Sequence, residues 1–326
     1  MTRFVITGGA GFIGSHLAEA LCNADKNNFV TIVDNLSTGS KCNITNIAGR
    51  PNVATVFDNI LTMPDLEQII SECDVIFHLA AAVGVELVVH DPVQTLKTNV
   101  DGTSRILDLA NKYHKRIVIA STSEVYGKSA KDNFEEDDDL TIGAPTHSRW
   151  SYACSKLIDE FLLMAYHQHS QLPGTIVRFF NIVGPRQTGK YGMVIPRFVQ
   201  AARQNNNIRV FGTGKQTRCF CHVYDTVRAL MDIYDKKESF GQIFNIGSQH
   251  SIAIMQLAEK VIQVLNSKSN IQLIPYEQAY AKGFEDMMRR SPDTSKIRQL
   301  TGWTPMLSLE DIIRDVAQYQ TENNMK

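Results

Sequence analysis

The stretch "VITGGAGFIGSHLAEAL", residues 5–21, decides the fold class of this chain. It opens as a β-branched strand, carries glycines at positions 8, 11 and 14, and continues as an apolar helical pattern. Glycines between a strand and a helix allow a tight turn, and they let backbone N–H groups approach a pyrophosphate at the helix N-terminus. The stretch therefore predicts a dinucleotide-binding turn with these contacts: Gly8, Gly11, Phe12, Ile13 and Gly14.

Short β-branched segments alternate with helical patterns from the N-terminus to about residue 180. They read "FVIT" (4–7), "FVTIVD" (29–34), "VATVF" (53–57), "DVIFHLA" (74–80), "RIVIAST" (116–122) and "GTIVRFF" (174–180). Such alternation is typical of βαβ units around a parallel sheet. We expect an α/β fold with a Rossmann-type doubly wound sheet, in which residues 1–180 form the dinucleotide-binding domain.

The texture of the sequence changes after residue 180, where loops rich in Gly and Arg separate shorter elements. Examples are "GPRQTGKYGM" (184–193), "FGTGKQTRCF" (211–220) and "MMRRSPD" (287–293). We interpret residues 181–326 as a smaller C-terminal lobe that binds the substrate, with some chain crossing back to the first domain. The acidic run at 135–139 is expected to be a solvated loop.

Composition and charge exclude several classes of function. The chain has 326 residues, of which 43% are hydrophobic, and its 33 Lys and Arg nearly balance its 34 Asp and Glu. There is no basic field for nucleic acid or an anionic membrane. No run approaches 18 apolar residues, and no signal sequence precedes the first strand, so we expect a cytoplasmic enzyme.

The six cysteines do not form a disulfide or metal framework. Cys219 and Cys221 form the one close pair, and in an alternating strand they would share a face. No second Cys or His pair lies nearby at ligand spacing, so no metal site is predicted.

An acidic residue at the end of the second strand specifies the type of dinucleotide. Asp34 in "TIVDN" can accept hydrogen bonds from ribose hydroxyls and repel a 2′-phosphate, which favours NAD over NADP. A glycine turn without any nucleotide is the alternative. The other predicted cofactor contacts follow the next strands or lie on the following helix: Asn35, Asp58, Asn59, Ile60, Leu79, Ala80, Ala81 and Asn99. His78 is interpreted as a packed strand-end histidine.

The segment "RWSYACSK", residues 149–156, supplies a candidate base. Tyr152 and Lys156 are four residues apart at the start of a helix, so they share one face. An ammonium in that position is expected to lower the phenol pKa from about 10 towards neutrality. A phenolate could then take a hydroxyl proton while NAD takes a hydride. Tyr152 and Lys156 are also predicted to contact the cofactor.

These motifs together resemble the extended short-chain dehydrogenase/reductase family, in particular its enzymes that modify nucleotide-linked sugars. The resemblance runs from "TGGAGFIGSHL" through "YACSK", "RFFNIVGPR" and "RCFCHVYDTVRAL" to "RRSPDTSKIRQLTGWTP", nearly the whole chain. It implies oxidation of the sugar at C4, with Thr122 binding O4, Tyr152 as base and Lys156 as its partner. It also places Asn181, Arg218 and Arg290 on the substrate diphosphate.

Glu124, in "TSEVY", bears on the reaction that follows oxidation. Ser123 stands where the resemblance puts the Asp of an Asp-Glu pair in deoxythymidine-type 4,6-dehydratases, and it is assigned to substrate binding. Thr-Ser-Glu is similar to UDP-glucuronate decarboxylases, in which C4 oxidation creates a β-keto acid that loses carbon dioxide. Decarboxylation is thus favoured, with Glu124 as a catalytic residue. A 4-epimerase and then a 4,6-dehydratase remain alternatives, and an NADP-dependent GDP-mannose dehydratase is disfavoured by Asp34.

Two further expectations concern class and assembly. A non-catalytic dinucleotide sensor or RNA-associated module on this fold is the alternative of another class, but such proteins commonly lose the Tyr or the Lys. The helical patterns near 92–113 and 148–170 predict a homodimer with a four-helix interface. Its apolar stripe comprises Ile158, Phe161, Leu162 and Ala165.

Overall fold

The computed structural model describes residues 1–82, 92–189, 193–275 and 290–324. The strands are β1 Arg3–Thr7, β2 Phe29–Val33, β3 Val53–Val56, β4 Val75–His78, β5 Arg116–Thr122, β6 Gly174–Phe179, β7 Ile182–Val183, β8 Ile208–Phe211, β9 Thr217–Cys219, β10 Cys221–His222, β11 Gln242–Ile246, β12 Ser251–Ala253 and β13 Ile271–Ile274. The helices are α1 Phe12–Ala24, α2 Leu66–Ser71, α3 Pro92–Lys112, α4 Trp150–Ser170, α5 Val194–Arg203, α6 Val223–Ile233, α7 Ile254–Leu265, α8 Ser295–Thr301 and α9 Leu309–Asn324.

The central sheet has seven parallel strands in the order β11-β6-β5-β4-β1-β2-β3. The six predicted strands and the two long predicted helices, now α3 and α4, are confirmed. The seventh strand, β11, was not predicted. It comes from the chain beyond residue 180 and pairs with β6. The doubly wound Rossmann-type α/β fold is therefore confirmed.

Alternation along the strands gives the sheet an apolar layer on each face. Phe4 and Ile6 belong to one buried cluster, whereas Val5 between them belongs to the other, as the two-residue period of a strand requires. The first cluster also contains Phe244 and Trp303 from the C-terminal part of the chain. Residues beyond position 180 therefore contribute to the core of the first domain. A domain boundary at residue 180 stays a prediction.

A third apolar cluster forms the smaller lobe. It is built from α5, α7 and α9 and from β8, and its fully buried members include Ile195, Leu257, Ile312 and Ile313. Two-stranded ladders β10–β7, β12–β9 and β13–β8 accompany it. In the described part of the chain, no helix has the length and apolar character needed to cross a membrane.

Two sequence expectations are wrong. Cys219 ends β9 and Cys221 begins β10, so they do not share a face of one strand. The acidic run is not a solvated loop throughout, because Glu136 is only 7% exposed and accepts a hydrogen bond from the backbone N of Asn245 at 2.8 Å. Asp138 pairs with Lys131 through a largely buried carboxylate. The loop is therefore fixed to strand β11 through the hydrogen bond between Asn245 and Glu136.

Candidate active site

A cleft of about 860 Å³ opens at the carboxyl ends of the central strands, and it extends to the smaller lobe. The strand order reverses between β1 and β4, which is where doubly wound sheets bind ligands. All of the site residues named from the sequence line this cleft, with the exception of Asn99. Tertiary folding thus gathers residues from position 8 to position 290 in one place.

The glycines after β1 form a close-packed turn against the neighbouring strand. Gly8 has φ of +71°, and a Cβ there would lie 2.8 Å from the backbone N of Ala80. A Cβ at Gly14 would overlap the carbonyl oxygen of Gly8. Helix α1 then begins at Phe12, and its N-cap residue is Gly11, which has no capping side chain. The first N–H groups of α1 are suited to an anionic group.

The carboxylate of Asp34 is held rigidly at the end of β2. Its Oδ2 accepts from the backbone N of Ala10 at 2.9 Å, and its Oδ1 accepts from the N of Leu36 at 2.8 Å. Each carboxylate oxygen keeps further lone pairs for a ligand. This arrangement suits the recognition of two neighbouring hydroxyls beside the glycine turn.

Asn99 does not line the cleft but supports its wall. The side chain is buried, and its Oδ1 accepts from the backbone N of Ala82 at 2.7 Å. Its Nδ2 donates to the Oγ of Ser155 at 3.0 Å. Asn99 therefore joins the segment after β4 to helix α4, and any effect on a bound cofactor would pass through these neighbours.

Thr122, at the end of β5, lies in the part of the cleft that is also lined by Glu124, Tyr152 and Lys156. We call this part the reaction end. Its Oγ1 accepts from the backbone N of Glu124 at 3.2 Å and so caps the 3-10 helix Ser123–Tyr126. The same hydroxyl is close enough to Tyr152 to lower the pKa of its phenol. Glu124 is directed by this cap to the cleft, where it pairs with the guanidinium of Arg290 at 3.3 Å. It is not a solvated edge residue.

The expected lowering of the Tyr152 pKa is wrong for this arrangement. Burial raises the pKa of the Tyr152 phenol, the negative charges of Glu124 and Asp159 raise it further, and the nearby hydroxyl of Thr122 lowers it. The ammonium of Lys156 donates to Oδ2 of Asp159 at 2.7 Å. The four-residue spacing indicated Lys156 as a neighbour of Tyr152, but it did not reveal the Asp159 carboxylate to which Lys156 donates.

The substrate residues of the second half of the chain lie on the opposite wall. Arg218 is 6% exposed and donates from Nη1 to the carbonyl of Thr217 at 2.7 Å. Asn181 adopts φ of +43° and donates to the carbonyl of Cys219 at 2.9 Å. Their contact with a diphosphate stays a prediction. Arg290, grouped with them from the sequence, is paired with Glu124, and its contact with a diphosphate also stays a prediction.

Several lining residues were missed by the sequence argument. Arg149 is 6% exposed, and its guanidinium lies 5.5 Å from the ring centroid of Trp150. Its place in "RWSY" beside Tyr152 was the available signal. Further examples come from loops, from helix α3 and from the smaller lobe, where no local pattern marks them: Ser37, Thr38, Cys42, Asn43, Gln94, Thr98, Arg186, Gln187, Arg197, Arg209, Phe211, Gln216 and Tyr319.

Comparison with known proteins places this cleft in a family. The family described as GDP-mannose 4,6 dehydratase matches residues 5–316. A UDP-N-acetyl-alpha-D-glucosaminuronate decarboxylase of Bacillus cytotoxicus is 42% identical over 98% of each chain. UDP-glucuronic acid decarboxylase 1 of Danio rerio is 33% identical over 97% of this chain and 72% of its own.

A solved structure extends the likeness to three dimensions. The dTDP-glucose 4,6-dehydratase of Bacillus anthracis, in complex with NAD, superposes with a TM-score of 0.87 at 26% identity, covering 100% of this chain and 98% of that one. The match covers nearly the whole chain in sequence and in fold. The chain therefore belongs to the GDP-mannose 4,6 dehydratase family, among the extended short-chain dehydrogenase/reductase enzymes that act on nucleotide-linked sugars.

Proposed function

We propose that this protein is an NAD-dependent decarboxylase of a UDP-linked uronic acid. The observation that carries the proposal is the Glu124–Arg290 pair, whose charged atoms lie 3.3 Å apart beside Thr122 and Tyr152. A uronic acid brings its own carboxylate to this end of the cleft. An arginine already paired with a carboxylate there can exchange it for the carboxylate of the substrate, because its planar fork fits either.

The residues of the cleft fit NAD. The glycine turn is packed so closely that a Cβ at Gly8 or Gly14 would collide with backbone atoms. The turn lines the cleft, where the first N–H groups of α1 can bind a diphosphate. Asp34 presents fixed acceptor oxygens to ribose hydroxyls and disfavours a 2′-phosphate. The NAD complex of the Bacillus anthracis dehydratase supports the same assignment. When bound, NAD would accept a hydride from C4 of the sugar.

The side chains of Thr122, Tyr152 and Lys156 would then bind the sugar hydroxyl, accept its proton and stabilise the negative charge that forms. The Thr122 hydroxyl is close enough to Tyr152 to lower the pKa of its phenol, so a sugar O4 bound at these two side chains can lose its proton to Tyr152 as C4 is oxidised. Lys156 supplies the positive charge that favours the phenolate. The product of this step is a 4-keto sugar with its carboxylate β to the ketone.

A β-keto acid of this kind loses carbon dioxide and leaves an enolate. The C5 carbon must then receive a proton, and we assign this transfer to Glu124. Its carboxylate would take the proton from solvent after Arg290 has turned to the substrate carboxylate, and would pass it to C5. Arg290 would hold the departing carboxylate. Return of the hydride gives a UDP-pentose, whereas release of NADH gives a UDP-4-keto-pentose.

The relatives differ in the group at C2 of the sugar, and this decides which substrate to test first. The relative at 42% identity is named for an N-acetylated uronic acid, and the one at 33% for glucuronic acid. The greater likeness favours the N-acetylated substrate, although the sequence motifs alone led to UDP-glucuronate. Both belong to the proposed class.

The test is to incubate the purified protein and NAD with each UDP-uronic acid and to identify products by mass. We expect a product lighter by one carbon dioxide from at least one of them. Constant mass with inverted C4 would instead identify a 4-epimerase, and loss of water from a neutral UDP-hexose would identify a dehydratase. A Tyr152→Phe variant should give no product, which excludes a contaminating activity and the sensor hypothesis.

We also propose that two chains associate through α3 and α4. Phe161 is 69% exposed, Ile158 is 44% exposed, and Val93 on α3 is 62% exposed. Leu162 turns inward and packs partly against the core. Large exposed apolar side chains on neighbouring helices are typical of an interface, and this outward face is opposite to the cleft.

A further inference from the structure

Lys156 and Asp159 form a buried ion pair directly behind the candidate base. The distance from Lys156 Nζ to Asp159 Oδ2 is 2.7 Å, and the two side chains are 2% and 0% exposed. Tyr152, Lys156 and Asp159 are spaced by four and three residues on α4, so they share one face of the helix. The ammonium of Lys156 thus donates to the Asp159 carboxylate, on the same helix face that carries Tyr152.

The other charged or titratable groups around this pair have partners of their own. Glu160 accepts from the Nε and Nη2 of Arg178 at 3.0 and 2.7 Å. His78, from β4, is bound by Thr7 and Thr103, and burial lowers its pKa to about 3, so it is neutral. Glu124, from the end of β5, is paired with Arg290.

We propose that Asp159 is a positioning residue that shares the Lys156 ammonium with Tyr152 and thereby sets the pH at which Tyr152 becomes a base. Two anions compete for one cation at this site, the Asp159 carboxylate and the phenolate. A carboxylate that occupies the ammonium reduces what it can do for the phenolate. The inference rests on the proposed function only in taking Tyr152 as the base.

The electrostatics of the site agree with this competition. Asp159 is among the negative charges that raise the pKa of Tyr152, after burial and Glu124. Burial raises the pKa of Asp159 itself, while its interaction with Lys156 lowers it. Each charge of this buried pair is stabilised by the other, because both side chains are nearly inaccessible to solvent. If the charge of Asp159 is removed, the ammonium of Lys156 is expected to interact more strongly with Tyr152.

The experiment measures ionisation of Tyr152 without any substrate. The ultraviolet absorbance of phenolate is followed against pH in NAD-loaded protein, and the Tyr152→Phe curve is subtracted to isolate this residue. Asp159→Asn is expected to lower the apparent pKa of Tyr152 by roughly half a unit to one unit. In a Lys156→Met background the same change should produce a smaller shift, because no shared cation remains.

Controls separate this role from a structural one. Asp108→Asn removes one negative charge from α3, where Asp108 accepts from the hydroxyl of Tyr166, and should leave the Tyr152 titration unchanged. If Asp159→Asn does not fold, Asp159→Ser removes the same charge with a smaller side chain. An unchanged or raised pKa in a folded variant overturns the proposal, since Asp159 would then serve only to keep Lys156 charged.

The outcome of the Tyr152 titration does not depend on which reaction the protein catalyses. If neither UDP-uronic acid is decarboxylated, the absorbance measurement still reports whether Asp159 controls Tyr152. If decarboxylation is found, the acidic limb of its kcat/KM profile should move to lower pH by the same amount in Asp159→Asn. A fall in kcat with no movement of that limb would contradict the proposal.

Discussion

Glu124 and Arg290 show how single residues distinguish reactions within one fold. They are 166 positions apart in the chain, yet their charged groups meet beside Tyr152. The backbone N of Glu124 donates to the hydroxyl of Thr122 at 3.2 Å, which fixes the turn that carries Glu124. Arg290 is fixed by its backbone, because its carbonyl accepts from the Sγ of Cys219 at 3.1 Å. The pair is therefore built by the fold and is not a chance surface contact.

Replacing Arg290 with Met should impair the reaction of a uronic acid far more than binding of the cofactor. The substrate carboxylate would lose a charge-assisted partner and would face Glu124 unpaired. We expect kcat/KM to fall roughly 30- to 1000-fold, or ~2–4 kcal/mol. The measurement is steady-state decarboxylation, with NAD affinity determined by calorimetry on the same samples.

Arg290→Lys is the matched variant for that experiment. It keeps the positive charge but not the planar fork, so an intermediate loss is expected. If Arg290 acts on the diphosphate instead, as grouped from the sequence, truncated substrates without a carboxylate should be affected equally. Equal losses for acidic and neutral UDP-sugars would contradict a role at the substrate carboxylate.

At the scale of elements, the turn from β1 to α1 depends on close contact between backbones. Gly14→Ala would press a methyl group against the Gly8 carbonyl and push α1 away from the turn. We expect a loss of about 1–3 kcal/mol in the free energy of unfolding, together with an NAD affinity at least roughly tenfold weaker. Thermal unfolding and calorimetric titration with NAD measure the two effects.

Gly49→Ala provides the control for this substitution. A Cβ at Gly49 would meet nothing within 4 Å, so the change adds a methyl group in open space. Its stability and NAD affinity should match those of the unaltered protein. If Gly14→Ala also binds NAD normally, the turn is not the diphosphate site that the glycine spacing indicates.

Hydrogen bonds between the loop at Phe134 and the segment 291–293 fix the position of Arg290 in the cleft. The backbone N of Phe134 donates to the carbonyl of Ser291 at 2.8 Å, and the N of Asp293 donates back to the carbonyl of Phe134 at 2.8 Å. Asn245 on β11 joins them by donating to Phe134 at 2.9 Å. The segment that carries Arg290 is thus anchored to the central sheet.

For the whole molecule, the two faces of α4 have different tasks. Lys156 and Asp159 are buried towards the cleft, whereas Ile158 and Phe161 are exposed on the outside. In a homodimer the helices that hold the catalytic residues would pack against their copies. Association would then stabilise the framework of the active site without adding a residue to it.

Phe161→Glu should convert the expected dimer to a monomer. A charge in the apolar centre of the interface would cost at least about 2 kcal/mol, or roughly a 30-fold weaker association. Light scattering at micromolar concentration measures the mass. Leu273→Glu, at a residue of β13 that is 53% exposed, should leave the assembly unchanged. A monomeric wild-type protein would refute the interface.

The sequence alone determined the fold class, the central strands up to β6, the glycine turn, Asp34 and the candidate Tyr152 and Lys156. These follow from local signals, namely the period of apolar residues and motifs whose members are close in the chain. Strand β11 was missed because a short strand that joins a sheet from a distant segment has no distinctive local pattern. Its place depends on pairing with β6.

Only the tertiary structure decided the electrostatics of the site. The motif spacing indicated Lys156 as the neighbour of Tyr152, but burial and the carboxylates of Glu124 and Asp159 reverse the expected shift in the phenol pKa. Only the tertiary structure also showed that Arg290 pairs with Glu124 and that Asn99 lies behind the wall of the cleft. A pKa and a charge pair depend on every neighbour in space, and a linear motif names only the neighbours that lie nearby in the chain.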